Sequence, residues 1–103
     1  METKNDCSGD LAKALNLIGD KWSLLLLHHL GQDGPMRYKD CQAADGISSR
    51  TLTVRLTELE QAGLITKKEY NEYPPRTEYT ITEKGSAITP ALDAMAEWSK
   101  KFL

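Results

Sequence analysis

Gly46-Ile47-Ser48-Ser49-Arg50-Thr51-Leu52-Thr53-Val54-Arg55-Leu56-Thr57-Glu58-Leu59-Glu60-Gln61-Ala62-Gly63-Leu64-Ile65 is a helix with both ends marked. Ser48 or Ser49 can accept a hydrogen bond from an orphan N–H of the first turn, and Gly63 supplies a left-handed residue at the stop. Leu52, Leu56 and Leu59 recur at spacings of four and three, so at about 100° per residue they form one buried stripe. Arg50, Thr53, Val54, Thr57 and Gln61 fall on the opposite face. That face carries no carboxylate, since Glu58 and Glu60 sit towards its flanks. Such a face suits the major groove of DNA, where Arg pairs with guanine, Gln with adenine, and Thr or Val methyls meet the thymine methyl. The alternative is a solvated face carrying Thr and Arg by chance.

Upstream, Arg37–Ala44 reads as a short helix with Tyr38 and Cys41 on one side, joined to the stretch above by the Asp45-Gly46 turn. Two helices across so short a connection, the second with a polar outer face, make a helix-turn-helix. Downstream, residues 64–70 and 76–82 read as two strands, with Tyr79 and Ile81 alternating inward. The intervening Asn71-Glu72-Tyr73-Pro74-Pro75 is kept out of the sheet by its prolines. A hairpin directly after a recognition helix is a wing, and Lys67, Lys68 and Arg76 stand at its base.

The remaining chain predicts packing. Ser8 or Asp10 can cap a helix Leu11–Ile18, and Asp20 caps a second helix, Lys21–Leu30, that ends at Gly31 after the run Leu24-Leu25-Leu26-Leu27. A helix apolar all round is buried all round. His28 belongs at the rim of that helix. The segment from Thr82-Glu83-Lys84-Gly85 to Leu103 reads as a terminal helix that Pro90 bends or restarts. Its Trp98, Phe102 and Leu103 exceed what so small a core can cover. Dimerisation through the N- and C-terminal helices is the economical explanation, with Leu11, Leu15, Leu25, Leu92, Met95, Trp98 and Phe102 as candidate interface residues.

The chain has 103 residues, so one domain (10–103) is expected behind a flexible N-terminus (1–9), in a mainly α architecture with a small β-hairpin wing. A net charge of −2 argues against a protein that coats nucleic acid indiscriminately. Its distribution is uneven: all four arginines lie within residues 37–76, which hold seven bases and six acids. No stretch approaches the roughly 18 apolar residues of a membrane span. No apolar leader is visible, so a cytoplasmic protein is expected. Cys7 and Cys41 are too few for a disulfide framework and lack metal-ligand spacing. No cofactor and no metal are expected. Catalysis is disfavoured as well, because His28 and His29 are adjacent, on different helix faces, without an accompanying nucleophile, carboxylate pair or phosphate loop.

The motifs Ala14-Leu15-Asn16-Leu17-Ile18-Gly19-Asp20-Lys21-Trp22, Gly34-Pro35-Met36-Arg37-Tyr38, Gly46-Ile47-Ser48, Leu52 to Glu60, Pro74-Pro75-Arg76-Thr77-Glu78-Tyr79 and Leu92 to Trp98 resemble, in order and spacing, the HxlR-type regulators of the MarR-like group. The resemblance implies a winged helix-turn-helix and a homodimeric bacterial transcriptional regulator. Its two recognition helices, about 48–62, would enter successive major grooves of a near-palindromic operator in double-stranded DNA. The wings, about 65–82, would lie on flanking DNA. Some members sense oxidants through a cysteine ahead of the first helix, and Cys7 lies in that region, followed by Ser8 where a proline is usual. Cys41 stands where the family has an aliphatic residue and reads as a small core side chain.

The residues so assigned to base reading are Ser49, Arg50, Thr53, Val54 and Thr57. Those assigned to phosphates are Tyr38, Lys39, Arg55, Lys67 and Arg76, with Arg55 close enough to the buried stripe to serve instead as a structural ion-pair partner. The rival reading is a winged-helix protein scaffold without DNA contact. It would place carboxylates or large apolar groups on the outer face of the 48–62 helix. A small-molecule effector at the dimer interface has no pocket residues marked in the sequence.

Overall fold

The computed structural model describes residues 9–103. Helix α1 (Asp10–Ile18) starts from Gly9, which makes no side-chain cap; Asp10 lies inside the first turn, and Ser8 falls outside the described residues. The Asp20 carboxylate accepts from the N–H groups of Trp22 and Ser23, both at 3.0 Å, and starts α2 (Lys21–Asp33). This helix passes through Gly31, where a Cβ would come within 2.9 Å of the Thr89 methyl, so Gly31 is a close-packing residue and not a stop. The stop is Gly34, with φ +76°. The leucine run splits by face: Leu26 and Leu27 are fully buried, whereas Leu24 and Leu25 are half-buried.

Met36–Arg37 form a short strand, β1, that the sequence reading did not anticipate. Helix α3 (Tyr38–Asp45) follows, and Gly46, at φ +67°, turns the chain alone because Asp45 still belongs to the helix. His29 Nε2 lies 3.1 Å from Asp45 Oδ1 and ties α2 to the end of α3. Helix α4 (Ser49–Gln61) has Ser48 as its cap, accepting from the Thr51 N–H at 3.3 Å. It closes in a Schellman motif: the Leu64 N–H donates to the Leu59 carbonyl and the Gly63 N–H to that of Glu60, both at 3.0 Å, with Gly63 at φ +80°.

Strands β2 (Ile65–Tyr70) and β3 (Arg76–Ile81) form the hairpin, and β1 pairs with the other edge of β3, giving the antiparallel order β1-β3-β2. Met36 pairs with Tyr79 and Ile65 with Ile81. The expected terminal helix is two: Thr82 caps a short α5 (Glu83–Ser86), and α6 (Thr89–Phe102) restarts with Pro90 in its first turn, where its missing N–H costs nothing.

One apolar cluster holds these elements. Leu26, Leu27 and Leu30 of α2 meet Leu52, Leu56 and Leu59 of α4, with Cys41, Ile47, Ile65 and Tyr79 filling between them. The stripe on α4 is 0–2 % exposed, so that helix is anchored by one face and free on the other. The fold is a winged helix-turn-helix with α3 and α4 as the two helices and β2–β3 as the wing.

Candidate nucleic-acid interface

The outer face of α4 is set by the periodicity that buries its inner face. Ser49, Arg50, Thr53, Val54, Thr57 and Gln61 are all exposed, and Val54, at 41 %, is an apolar group facing solvent. Among the described residues, Arg50 enters no ion pair. The same is true of Lys39 on α3 and of Arg37, which precedes it. These side chains retain their full capacity for an anionic partner.

Arg55, Lys67 and Arg76 have carboxylate neighbours, whereas Lys68 lies 5.0 Å over the Tyr70 ring. Arg55 Nη1 lies 3.0 Å from Glu58 and 4.0 Å from Asp20, so it links α4 to the cap of α2. Lys67 is 3.6 Å from Glu69. Arg76 stands between Glu72 and Glu78 at 3.5 and 3.6 Å, with its guanidinium 4.2 Å over the Tyr70 ring. The Tyr70 hydroxyl donates to Glu78 at 3.0 Å and completes a cluster on the wing. Half-exposed pairs of this kind are worth little, about 0–1 kcal/mol, so a phosphate can compete for them.

Helix α3 braces the leading turn of α4. The Tyr38 hydroxyl lies 3.0 Å from both the Ser49 carbonyl and the Thr53 hydroxyl, and Gln42 Nε2 donates to Ser49 Oγ at 2.8 Å. Sequence reading missed Gln42, although it stands one turn after Tyr38 on the same helix. It also missed the part played by Arg37. With Tyr38, Lys39, Pro74, Pro75 and Arg76, Arg37 lines an open groove of about 570 Å³ between the start of α3 and the wing loop. Basic groups from β1, α3 and the wing thereby line one groove, together with the Glu72 carboxylate.

The thiols differ. Cys41 is buried, and burial, reinforced by the charge of Asp40, pushes its pKa up to about 11. Thiolate, the reactive form, is therefore scarce there at neutral pH. Cys7 lies outside the described residues. Among the described residues there is no group of three His, Cys, Asp or Glu side chains placed to hold a metal ion, and no helix is long and apolar enough to cross a membrane.

Comparison with known proteins places these features in a family. The HxlR-like helix-turn-helix family matches residues 17–103. An HTH-type transcriptional regulator, BH0655 of Halalkalibacterium halodurans, is 37 % identical over 97 % of this chain and 89 % of its own length. A MarR-family transcriptional regulator structure from Porphyromonas gingivalis W83 superposes with a TM-score of 0.90 at 32 % identity, covering 99 % of this chain and 100 % of its own. The oxidised form of the redox regulator HypR superposes with a TM-score of 0.84 at 32 % identity, over 92 % and 98 % of the two chains. On the family match, this identity and the shared winged fold, the chain belongs to the HxlR-like helix-turn-helix family of transcriptional regulators.

Proposed function

We propose that the protein is a sequence-specific, DNA-binding transcriptional regulator that acts as a homodimer. The observation that carries this reading is the exposed, hydroxyl-rich leading part of α4, which has no carboxylate from Ser49 to Thr57 and carries Arg50 exposed and unpaired among the described residues, with cations of α3 and the wing lining the groove that Tyr38 shares. In this reading Ser49, Arg50, Thr53, Val54 and Thr57 face base edges in the major groove. Lys39, Arg37 and the wing residues Lys67 and Arg76 contact phosphates, fixing register without reading sequence. Arg55 serves chiefly to hold α4 against α2.

Dimerisation is supported by α6. None of its 14 residues is buried within the protomer, and an isolated helix of that length is marginal in water. Met95, Trp98 and Phe102 follow one another at helical spacing and are 57–63 % exposed, while Leu11 and Leu15 on α1 are 73 % and 54 % exposed. A second copy covering this surface would place two α4 helices on one DNA duplex, as a near-palindromic operator requires.

Arg50→Ala is expected to weaken binding to the best duplex by about 1–3 kcal/mol and to relax preference at one base pair per half-site. Fluorescence anisotropy against a panel of single-base variants reads both effects. Full affinity with full discrimination would remove Arg50 from base reading.

The regulator reading extends to an oxidant signal at Cys7, supported by the likeness to HypR and by the protection of Cys41. Oxidation is expected to release DNA from the wild-type protein and to leave Cys7→Ser bound. In the folded protein Cys41 is expected to resist alkylation, as mass spectrometry with and without denaturant would detect. Rapid labelling of native Cys41, or release that persists in Cys7→Ser, would contradict this assignment.

A further inference from the structure

Two hydroxyls, that of Tyr38 on α3 and that of Thr53 on α4, have a fixed hydrogen-bond direction, and the reason lies in proton counting. A tyrosine hydroxyl has one proton and can also accept. The Tyr38 hydroxyl lies 3.0 Å from the backbone carbonyl of Ser49, which can only accept, so the phenolic proton goes there. Its second contact, also 3.0 Å, is with Thr53 Oγ1. With the Tyr38 proton spent, Thr53 must be the donor. A threonine hydroxyl likewise has one proton, and this one points back at α3. Only lone pairs of Thr53 remain for whatever lies against the exposed face of α4.

The geometry points to Tyr38 as a positioning residue for specificity: it holds Thr53 as a hydrogen-bond acceptor, so that α4 selects an exocyclic amino group at the base position Thr53 faces. This inference rests on the DNA-reading function proposed above. In the major groove the amino groups are N6 of adenine and N4 of cytosine, whereas guanine and thymine present the acceptors O6 and O4. An acceptor opposite an acceptor is repelled and leaves both desolvated without a partner, which is the costly outcome. A freely rotating threonine would accommodate either edge; the braced one does not. One turn earlier the pattern reverses, because Gln42 donates to Ser49 Oγ and leaves the serine proton unspent.

The test is selection of duplexes from a randomised pool by the full-length protein, followed by binding measurements with each of the four bases at every selected position. Thr53→Val removes the hydroxyl while keeping the shape, and identifies the position at which preference is lost. Wild-type protein is expected to favour adenine or cytosine there by about tenfold over guanine and thymine. Tyr38→Phe, which frees the Thr53 proton, is expected to shrink that preference to within about twofold, with the other positions unchanged. Thermal melting checks that Tyr38→Phe is folded; should it not be, the base preference mapped by Thr53→Val decides alone. A wild-type preference for guanine or thymine at that position would overturn the inference. So would a folded Tyr38→Phe that keeps the preference or weakens all sequences alike. Failure of the wild type to select any sequence is a separate result, which sinks the DNA-reading function itself.

Discussion

Leu56→Ala is expected to destabilise the protein by about 3 kcal/mol and to lower its melting temperature by roughly 12–24 °C at fixed protein concentration. Leu56 is 2 % exposed and lies midway along the stripe by which α4 joins α2. Removing its three side-chain carbons leaves a cavity between two helices whose backbones are set by caps at Asp20 and Ser48 and cannot close freely. A domain of this size has about 5–15 kcal/mol in total, so a loss of that order is a large fraction. Val54→Ala, two residues away on the exposed face, is expected to change stability by less than about 0.5 kcal/mol. Thermal and denaturant unfolding of the two variants side by side measures the contrast. Equal effects would mean that α4 is not oriented with its leucines inward.

Trp98→Glu is expected to abolish dimerisation and to lower affinity for a two-half-site duplex by about 10²–10⁴, the factor lost when linked binding events become independent. Trp98 is 57 % exposed and its ring centroid lies 5.8 Å from that of Phe102, forming an aromatic pair that is more than half exposed among the described residues. A carboxylate at the centre of an apolar contact must be desolvated without a partner, which the dimer cannot tolerate. Because α6 contributes no buried residue to the protomer, the fold itself is expected to survive. Sedimentation equilibrium and circular dichroism separate the two effects. A Trp98→Glu protein that remains dimeric would move the interface elsewhere.

What was legible in the sequence was local chemistry. Asp20, Ser48 and Gly63 mark helix ends through hydrogen bonds to residues within five positions, and the structure has them there. Leu52, Leu56, Leu59 and Tyr79 announce their burial by period alone. Pro90 restarts a helix because its ring permits only the first turn. The features that escaped depend on partners distant in sequence. Strand β1 has two residues, too few for any alternation, and exists only because Met36 and Arg37 meet Tyr79 and Glu78. Gly31 reads as a terminator by local chemistry, whereas its role is set by Thr89, which packs against it from a distant helix. The bracing of Ser49 and Thr53 by Tyr38 and Gln42 joins two helices across the turn, and residue spacing within either helix does not reveal it. The pairing of Arg55 with Asp20 is of the same kind.

The most direct measurement is a fluorescence-anisotropy titration of the wild-type protein against a duplex selected from a randomised pool, with an unrelated duplex as competitor. A DNA-reading role for α4 predicts saturable binding with a Kd of about 10⁻⁸ M or tighter, retained against excess competitor and at least about 10³-fold stronger than to the unrelated duplex. Equal affinity for both duplexes would contradict it and leave the winged helix as a protein-binding scaffold.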